Sequence, residues 1–440
     1  MKLVFTFLFA LSVSATPGHD ALAGHAERAR AAQQTGDFQT AAAEWEAIVK
    51  LDPGLPEAHS NVGMMWHFAH RYPKAIPAFR EALRLNPKLI APHLFLGIDY
   101  YLTYSPDKAI PELKTAISLD PGNAMARKWL AMSYFQSGDF LPAAHELNLA
   151  ISQTPGDPEL LFWLSRTYSK ILFKSYARIR ELAPQSKYLS RLREDGLDLS
   201  DTQDKVSNGG DTLSAIQNMP GDHTSSPEYW YRLGRTAKIL ALKELSAFLE
   251  KAPQSYRVYQ LQAEYSLAQG DDDKAIGQYR HAIAISPSTV QLHTDLGNIY
   301  MSRHQYAEAI PEYEAELRTD AYSLIALERI GQAYAELNDS SKAESYLKRA
   351  LAIDPHAFEA LRALGKVCYE RGDYRAAVAN YREAINSAGH PPAPVLFQLS
   401  KAYRKLGNNA EADRWLVRFQ HELAEEHSRV QQRLEGAREQ

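Results

Sequence analysis

Proline recurs along this 440-residue chain at one fixed interval, and that interval restricts the fold more than any other sequence feature. The prolines that share it are Pro53, Pro87, Pro121, Pro155, Pro253 and Pro287, with Pro355 two intervals beyond Pro287. A period of about 20–50 residues is typical of chains that stack one supersecondary unit, because each unit buries its apolar face only against its neighbours. We therefore expect a repeat architecture over most of the chain.

Small and bulky residues also return at fixed places within each period. The small residues are Gly63, Gly97, Ala131, Gly297, Gly331 and Gly365, and bulky aromatic residues follow most of them three positions later. Small residues allow two helices to cross closely, while bulky ones fill the space beside the crossing. Glycine–aspartate pairs at 36–37, 138–139, 270–271 and 372–373 are typical of turns, and the closing proline ends a helix. Each period is thus predicted to form two helices joined by a turn.

This pattern resembles the tetratricopeptide repeat family, and the resemblance covers most of the chain. It implies an all-α fold, an α-α superhelix or solenoid, with about nine standard helix-pair repeats plus two degenerate repeats. The standard units are predicted to begin near residues 22, 56, 90, 124, 256, 290, 324, 358 and 393.

The two degenerate repeats, 158–186 and 227–255, resemble each other when they are aligned from end to end. In both, a small residue (Ser165 or Gly234) stands closer to the closing proline than the equivalent small residue does in a standard unit. Five residues are missing where the turn belongs, so we predict one long helix, or a kinked pair, in each segment.

The predicted domains follow from these segments. An N-terminal solenoid at 16–188 and a C-terminal solenoid at 227–416 flank a polar stretch at 189–226. That stretch is predicted to be a long loop or disordered insert, either a partner-binding lid or a tolerated insertion. The polar residues 417–440 are predicted to form a capping helix, since the end of a solenoid needs a polar outer face.

The first fifteen residues have the features of an export signal. Lys2 precedes a short apolar run at 3–13, and small residues follow up to Ala15. We expect cleavage after Ala15 and a periplasmic or secreted protein; a buried N-terminal strand or helix is the alternative. No later apolar run approaches the length of a membrane-spanning helix, so no integral membrane segment is expected after signal cleavage.

Composition and motifs argue against several functions. The formal net charge is −4, which gives no basic footprint for nucleic acid. The single cysteine, Cys368, lies at a predicted core position and cannot form an intrachain disulfide. No phosphate loop, dinucleotide fingerprint, zinc-protease motif or serine nucleophile elbow is present. His67 and His70 are close in sequence but lack a third ligand. We therefore predict no catalytic residues, no cofactor and no metal.

The resemblance implies a concave groove lined by the first helix of each unit, with ligand contacts at its second, fifth, ninth, twelfth and thirteenth positions. In the N-terminal solenoid these positions give a mostly apolar groove: Met64, His67, Phe68, Leu94, Ile98, Tyr101, Leu102, Met125, Met132, Phe135 and Phe162. Exposed apolar residues in a groove indicate an interaction site. The alternative is that neighbouring helices cover them as ordinary core.

In the C-terminal solenoid the same neighbourhood is basic, with Arg329, Arg362, Lys366, Lys401, Arg404 and Lys405. A basic groove favours an acidic peptide, a C-terminal carboxylate or another polyanion, whereas a solvated charged face is the alternative. Some family members clamp a C-terminal carboxylate. Here Asn298 matches one clamp position, but Thr294 stands where the paired lysine belongs, so the clamp is incomplete.

These observations favour a non-catalytic protein–protein interaction scaffold that binds a peptide or partner domain in its groove. One alternative is an exported helper of outer-membrane or exopolysaccharide assembly. Another is a glycosyltransferase-associated protein, because the array is similar to that of protein O-GlcNAc transferases without their catalytic domain.

Overall fold

The computed structural model describes residues 19–194, 226–388 and 392–435. Over these ranges the chain forms 21 helices and no strand. The predicted signal at 1–15, residues 195–225 of the predicted insert and residues 436–440 lie outside the described ranges.

The first eight helices form four pairs whose members pack on each other. The helices are α1 His19–Gln34, α2 Phe38–Leu51, α3 Pro56–Phe68, α4 Tyr72–Leu85, α5 Ile90–Leu102, α6 Pro106–Leu119, α7 Ala124–Ser137 and α8 Phe140–Gln153. The starts of α3, α5 and α7 coincide with the predicted unit starts, which confirms the period over this part of the chain.

Three helices that do not form a standard helix pair with a sequence neighbour follow, namely α9 Pro158–Leu182, α10 Lys187–Glu194 and α11 Pro227–Lys251. The helices α9 and α11 are each 25 residues long and have no turn near their middle, so the prediction of two long helices is confirmed. Residues 189–194, predicted as the start of a loop, belong to α10 and are helical.

The remaining helices form five further pairs, which brings the number of pairs in the described ranges to the predicted nine. They are α12 Tyr256–Ala268, α13 Asp272–Ile285, α14 Val290–Ser302, α15 Tyr306–Thr319, α16 Leu324–Glu336, α17 Ser340–Ile353, α18 Phe358–Glu370, α19 Tyr374–Ser387, α20 Ala393–Lys405 and α21 Asn409–Glu435. The segment predicted as a cap from residue 417 is the continuation of α21, which is 27 residues long.

The chain divides into two compact units, and the division passes through both long helices. Unit 1 contains the residues up to Ile171 together with Lys243–Lys251, and unit 2 contains Leu172–Leu242 and the residues from Ala252 onwards. The predicted solenoid bounds at 188 and 227 stay predictions.

Close helix crossings lie at the predicted glycines of the repeats. A Cβ atom added to Gly97 would lie 2.5 Å from Cγ of Leu113, and one added to Gly63 would lie 2.6 Å from the Phe79 ring. In unit 2, Gly297, Gly331 and Gly365 meet Tyr313, Leu347 and Tyr381 in the same way, at 2.6–2.8 Å. In each of these pairs the glycine lies on the first helix and its partner occupies the same place on the second.

The turns between paired helices pass through the left-handed backbone region. Gly36, Gly138, Gly270 and Gly372 have φ between 78° and 84°. The equivalent turns of other pairs use His70, Tyr104, His304 and Asn338, with φ between 54° and 60°. The turn geometry is therefore kept even where glycine is absent, because the two helices must still return to the same crossing.

A histidine at the fourth position of two first helices contacts both the second helix of its own pair and the proline that precedes the pair. In unit 1, His93 Nδ1 lies 2.6 Å from Oε2 of Glu112 on the second helix, and its Nε2 lies 3.1 Å from the Pro87 carbonyl oxygen. In unit 2, His293 makes the same contacts to Glu312 and Pro287, at 2.7 and 3.1 Å. We call this arrangement the histidine clasp. The sequence contains its signal, a histidine at the fourth position of the first helix and a glutamate at a fixed place on the second, which our sequence reasoning missed.

The crossing geometry predicts opposite effects for two glycine substitutions. Gly97→Ala places a methyl group against the fully buried Leu113 and should lower the free energy of unfolding by about 1–3 kcal/mol. Gly277→Ala, inside α13, meets nothing within 4 Å and should raise it by about 0.5–1 kcal/mol through better helix propensity. Chemical denaturation of the two variants checks both signs. A stabilising Gly97→Ala would contradict the crossing.

The histidine clasp predicts pH-dependent stability. Burial opposes the charge on His93, but the Glu112 carboxylate and the Pro87 carbonyl together raise its pKa above the ordinary value of 6.5. Because the folded pKa is the higher one, the stabilisation is complete below pH 6.5 and is lost as pH rises through the folded pKa. His93→Gln should therefore cost about 1.5 kcal/mol near pH 6 and less near pH 9.

The matched control is His59→Gln. His59 occupies the same repeat position and its Nε2 lies 3.0 Å from the Pro53 carbonyl oxygen, but Ala78 stands where the carboxylate would be. Denaturation curves across this pH range should show a weaker pH dependence for His59→Gln. Equal pH dependence in both variants would disprove the role of Glu112.

Candidate functional site

The described ranges contain no metal-binding site built from protein side chains. There, no three His, Cys, Asp or Glu side chains are grouped so as to hold a metal ion. The two histidines singled out in the sequence contact other groups: His67 faces Asp99, and His70 Nδ1 lies 2.8 Å from the Tyr72 hydroxyl. Cys368 is buried at its predicted core position, and burial raises the pKa of its thiol. We also find no helix in the described ranges long and apolar enough to cross a bilayer.

Four residues of the predicted apolar groove belong to the core of unit 1. Met64, Leu94, Ile98 and Phe162 expose 3% or less of their surface. The first three join one continuous core cluster, and the Phe162 ring lies 6.0 Å from that of Phe248. The groove prediction is wrong for these four, because neighbouring helices pack close enough to cover Met64 on α3, Leu94 and Ile98 on α5, and Phe162 on α9.

The other predicted apolar residues are only partly covered. Met125 exposes 47% of its surface, and the rest are half-buried: His67, Phe68, Tyr101, Leu102, Met132 and Phe135. Most of them contact a neighbouring aromatic ring. The Tyr101 ring lies 5.2 Å from that of Trp129, and the Phe135 ring lies 5.5 Å from that of Trp163. Their role in binding a partner stays a prediction.

A fully buried carboxyl group contacts His67, one of these half-buried residues. Nδ1 of His67 lies 2.5 Å from Oδ1 of Asp99, whose side chain is fully buried. Burial raises the pKa of Asp99 to about 6, although His67 opposes that shift. The other carboxylate oxygen, Oδ2, has no hydrogen-bond partner within the described part of the chain. The enclosed position of Asp99 suits it to holding α3 and α5 together rather than to contact with a ligand.

The clamp positions of unit 2 are also occupied by internal hydrogen bonds. Thr294 is buried and donates its hydroxyl to Glu316, and Asn298 Oδ1 accepts from the Tyr313 hydroxyl at 2.8 Å. Glu328 Oε1 accepts from the backbone N–H of Ala360 at 3.2 Å, and burial raises the pKa of Glu328 to about 7. These polar groups tie helices of the repeat array to one another.

Acidic neighbours neutralise much of the predicted basic groove. Arg362 pairs with Glu359 at 2.7 Å, Lys366 with Glu336 at 2.6 Å, and Arg404 with Asp413 at 2.5 Å. Arg329 donates to the amide oxygen of Gln332 at 3.1 Å. These pairings leave less free positive charge than the sequence suggested, because the acidic partners lie on neighbouring turns and helices whose proximity the spacing of the lysines and arginines does not show. The role of these six residues in binding a partner stays a prediction.

Lys401 and Lys405 differ from these residues. Both are exposed, and neither has an ion-pair partner in the part of the chain that the structure describes. Nζ of Lys401 lies 5.5 Å from the centre of the Tyr369 ring and 5.8 Å from that of Phe397. Phe397 is itself 42% exposed. An unpaired amine and an exposed aromatic ring therefore adjoin each other on α20.

A cavity of about 180 Å³ opens beside Lys401. Its walls come from α18 and α20, with one side chain from α19: Lys366, Tyr369, Glu370, Tyr381, Gln398 and Lys401. The Oε1 atom of Gln398 is buried and has no hydrogen-bond partner within the described residues. Sequence reasoning named the two lysines but missed Gln398 and the two tyrosines, because only the packing of three helices brings them together. We call this site the α18–α20 cavity.

Comparison with known proteins agrees with the helix-pair architecture. Two family models, both described as tetratricopeptide repeat, match this chain. The first matches residues 27–90, 294–358 and 328–394, and the second matches 104–168. Together they cover more than half of the chain.

Individual relatives match more narrowly. The TPR repeat-containing protein YpiA of Bacillus subtilis is 27% identical over 138 residues, which is 31% of this chain and 32% of that protein. The tetratricopeptide repeat and J domain-containing co-chaperone DNJ1 of Mycosarcoma maydis is 33% identical over 86 residues, 20% of this chain and 15% of that protein. The chain thus spans about a third or less of the length of these relatives.

Solved structures match over shorter arrays. MamA is 22% identical, covers 40% of this chain and 96% of its own length, and has a TM-score of 0.36. The type IV pilus biogenesis factor PilW is 22% identical, covers 42% and 85%, and has a TM-score of 0.38. From the family models that match more than half of its residues, the chain belongs to the tetratricopeptide repeat family.

Proposed function

We propose that this protein is a non-catalytic interaction scaffold that binds a peptide or partner domain on the first helices of unit 2. The observation that carries this proposal is the surface of α18 and α20. There an exposed Phe397, an unpaired Lys401 and the α18–α20 cavity lie side by side. Exposed apolar surface next to polar groups without partners is typical of interaction sites.

The strongly shifted acids support a scaffold rather than an enzyme. Asp99 and Glu328 have the raised pKa values that catalytic acids often show, but both lie in contacts between consecutive repeats. Their shifts arise from burial in helix packing.

We further propose that the scaffold is exported and acts in the cell envelope or the medium. The support is the N-terminal sequence, in which Lys2, an apolar run at 3–13 and the small residues before Thr16 occur in the order of a cleavable signal. The more specific version of this proposal is a helper role in outer-membrane or exopolysaccharide assembly.

Export predicts a processed N-terminus. We expect the protein purified from periplasm or medium to begin at Thr16, because Ala15 supplies the small residue at the cleavage point. N-terminal sequencing or intact-mass measurement of the native protein checks this. A native chain that retains residues 1–15 and stays in the cytosol would refute export.

The scaffold proposal predicts that the protein captures a partner and that this capture depends on the ring of Phe397 and the charge of Lys401. A bait beginning at Thr16 should retain a partner from envelope or medium extracts, and the double variant Phe397→Ser/Lys401→Glu should lose it. The reason is that this variant removes the exposed ring and reverses the unpaired charge on α20. Quantitative mass spectrometry of the retained proteins measures the effect.

The matched control is Lys88→Glu, which makes the same charge change at an exposed position in unit 1. It should retain the partner at the wild-type level, and circular dichroism should show equal helicity for all three baits. If the three baits retain the same proteins, or none above a mock bait, the proposed surface is not the binding site.

A further inference from the structure

We propose that the α18–α20 cavity binds the carboxylate of an Asp or Glu side chain in an extended peptide, with a neighbouring backbone N–H of that peptide donated to Gln398. This inference rests on the proposed scaffold function and adds the chemistry of the partner. Four features of the cavity support it: an amine that no carboxylate engages, an acceptor without a partner, its size and its aromatic walls.

One ammonium group in the lining favours an anionic ligand group. Lys366 is balanced within the protein, since its Nζ lies 2.6 Å from Glu336 and 3.8 Å from Glu370. Lys401 lines the same cavity and has no carboxylate partner among the residues described. Its ammonium group can therefore take a ligand carboxylate without breaking an ion pair that the described residues already make.

The Gln398 side chain specifies a second group on the ligand. Its Oε1 is a buried acceptor with no partner in the described ranges, and such an atom costs about 1–3 kcal/mol while it stays unsatisfied. A ligand N–H that reaches it would remove that cost. A carboxylate beside an N–H donor is what a peptide offers at an acidic residue, whereas a simple inorganic anion offers no such donor.

The size of the cavity favours a side chain over a whole small molecule. Its volume of about 180 Å³ is below the roughly 300 Å³ at which pockets for drug-sized molecules begin. Tyr369 and Tyr381 give it aromatic walls, and the exposed Phe397 next to it offers an apolar surface for the following residue of the peptide.

A side-chain carboxylate fits better than a chain terminus. Lys401 is the one cavity amine in the described structure that no carboxylate engages, and a terminal clamp needs further polar side chains beside such an amine. The positions that would form a terminal clamp, Thr294 and Asn298, are engaged with Glu316 and Tyr313. The proposal therefore commits to an internal acidic residue.

The test uses the full chain and three immobilised libraries of short peptides. Each library holds Asp, Asn or Lys at a fixed central position, has random residues elsewhere and ends in a C-terminal amide. We expect binding to the Asp library at least about tenfold above the Asn library, and a further fall with added salt, because screening weakens an exposed ion pair. The Lys library should not bind.

Variants then locate the site. Lys401→Met and Gln398→Leu should each weaken binding to the Asp library about tenfold, and Lys401→Arg should largely restore it by keeping the charge. Lys405→Met is the control, because Lys405 is an exposed lysine on the same helix but does not line the cavity. It should bind as the wild type does. Thermal melts of all variants show whether any loss reflects unfolding.

The other outcomes contradict the inference, and each one shows whether the ligand group, the site or the scaffold function is wrong. Equal binding of the Asp and Asn libraries, or binding that appears only when the peptides carry a free C-terminal carboxylate, removes the acidic side chain from the proposal. Peptide binding that is insensitive to Lys401 and Gln398 overturns this site and leaves the scaffold function standing. No binding of any library, with a well-folded protein, overturns the inference and the peptide-binding form of the scaffold together.

Discussion

The close crossing of the two helices in each repeat is the contact on which the rest of the structure depends. At Gly97 and its equivalents the second helix approaches so closely that a single methyl group would overlap a core side chain. This distance fixes where the turn must lie and how far the next repeat is displaced. A repeated crossing therefore gives a repeated displacement, and a solenoid results without any long-range signal in the sequence.

The middle of the chain shows what happens when that crossing is lost. Without the five residues of the turn, the helix α9 runs on for 25 residues and cannot fold back on itself. The small residue of α11 finds another partner: a Cβ atom at Gly234 would meet Ser175 of α9 at 2.9 Å. In unit 2, therefore, two helices far apart in sequence take over the close contact that a standard repeat makes within itself.

The elements could be predicted from sequence because their signals are local. The interval between prolines indicated the nine pairs, and the shortened spacing around Ser165 and Gly234 indicated the two long helices. The site was only partly predictable, since the exposure of a side chain depends on which side chains of the neighbouring repeat pack against it. Ile98 was predicted to line the groove and is buried. Lys366 was predicted to belong to a basic groove, and it is paired with Glu336 of the preceding repeat. Gln398 carried no sequence signal, since its significance is that nothing in the described chain reaches its oxygen.

The ninth position of the first helix shows how one repeat family forms both core and binding surface. In unit 1 this position holds Met64 and Ile98, which neighbouring helices cover. In unit 2 it holds Lys366 and Lys401, whose ammonium groups cannot be buried without large cost unless each is paired. Neighbouring helices can close over an apolar side chain, but they must leave a lysine access to water or to a carboxylate. The change from apolar residues to lysine at one register thus accompanies a cavity between α18 and α20, where the amine of Lys401 has no carboxylate partner among the described residues.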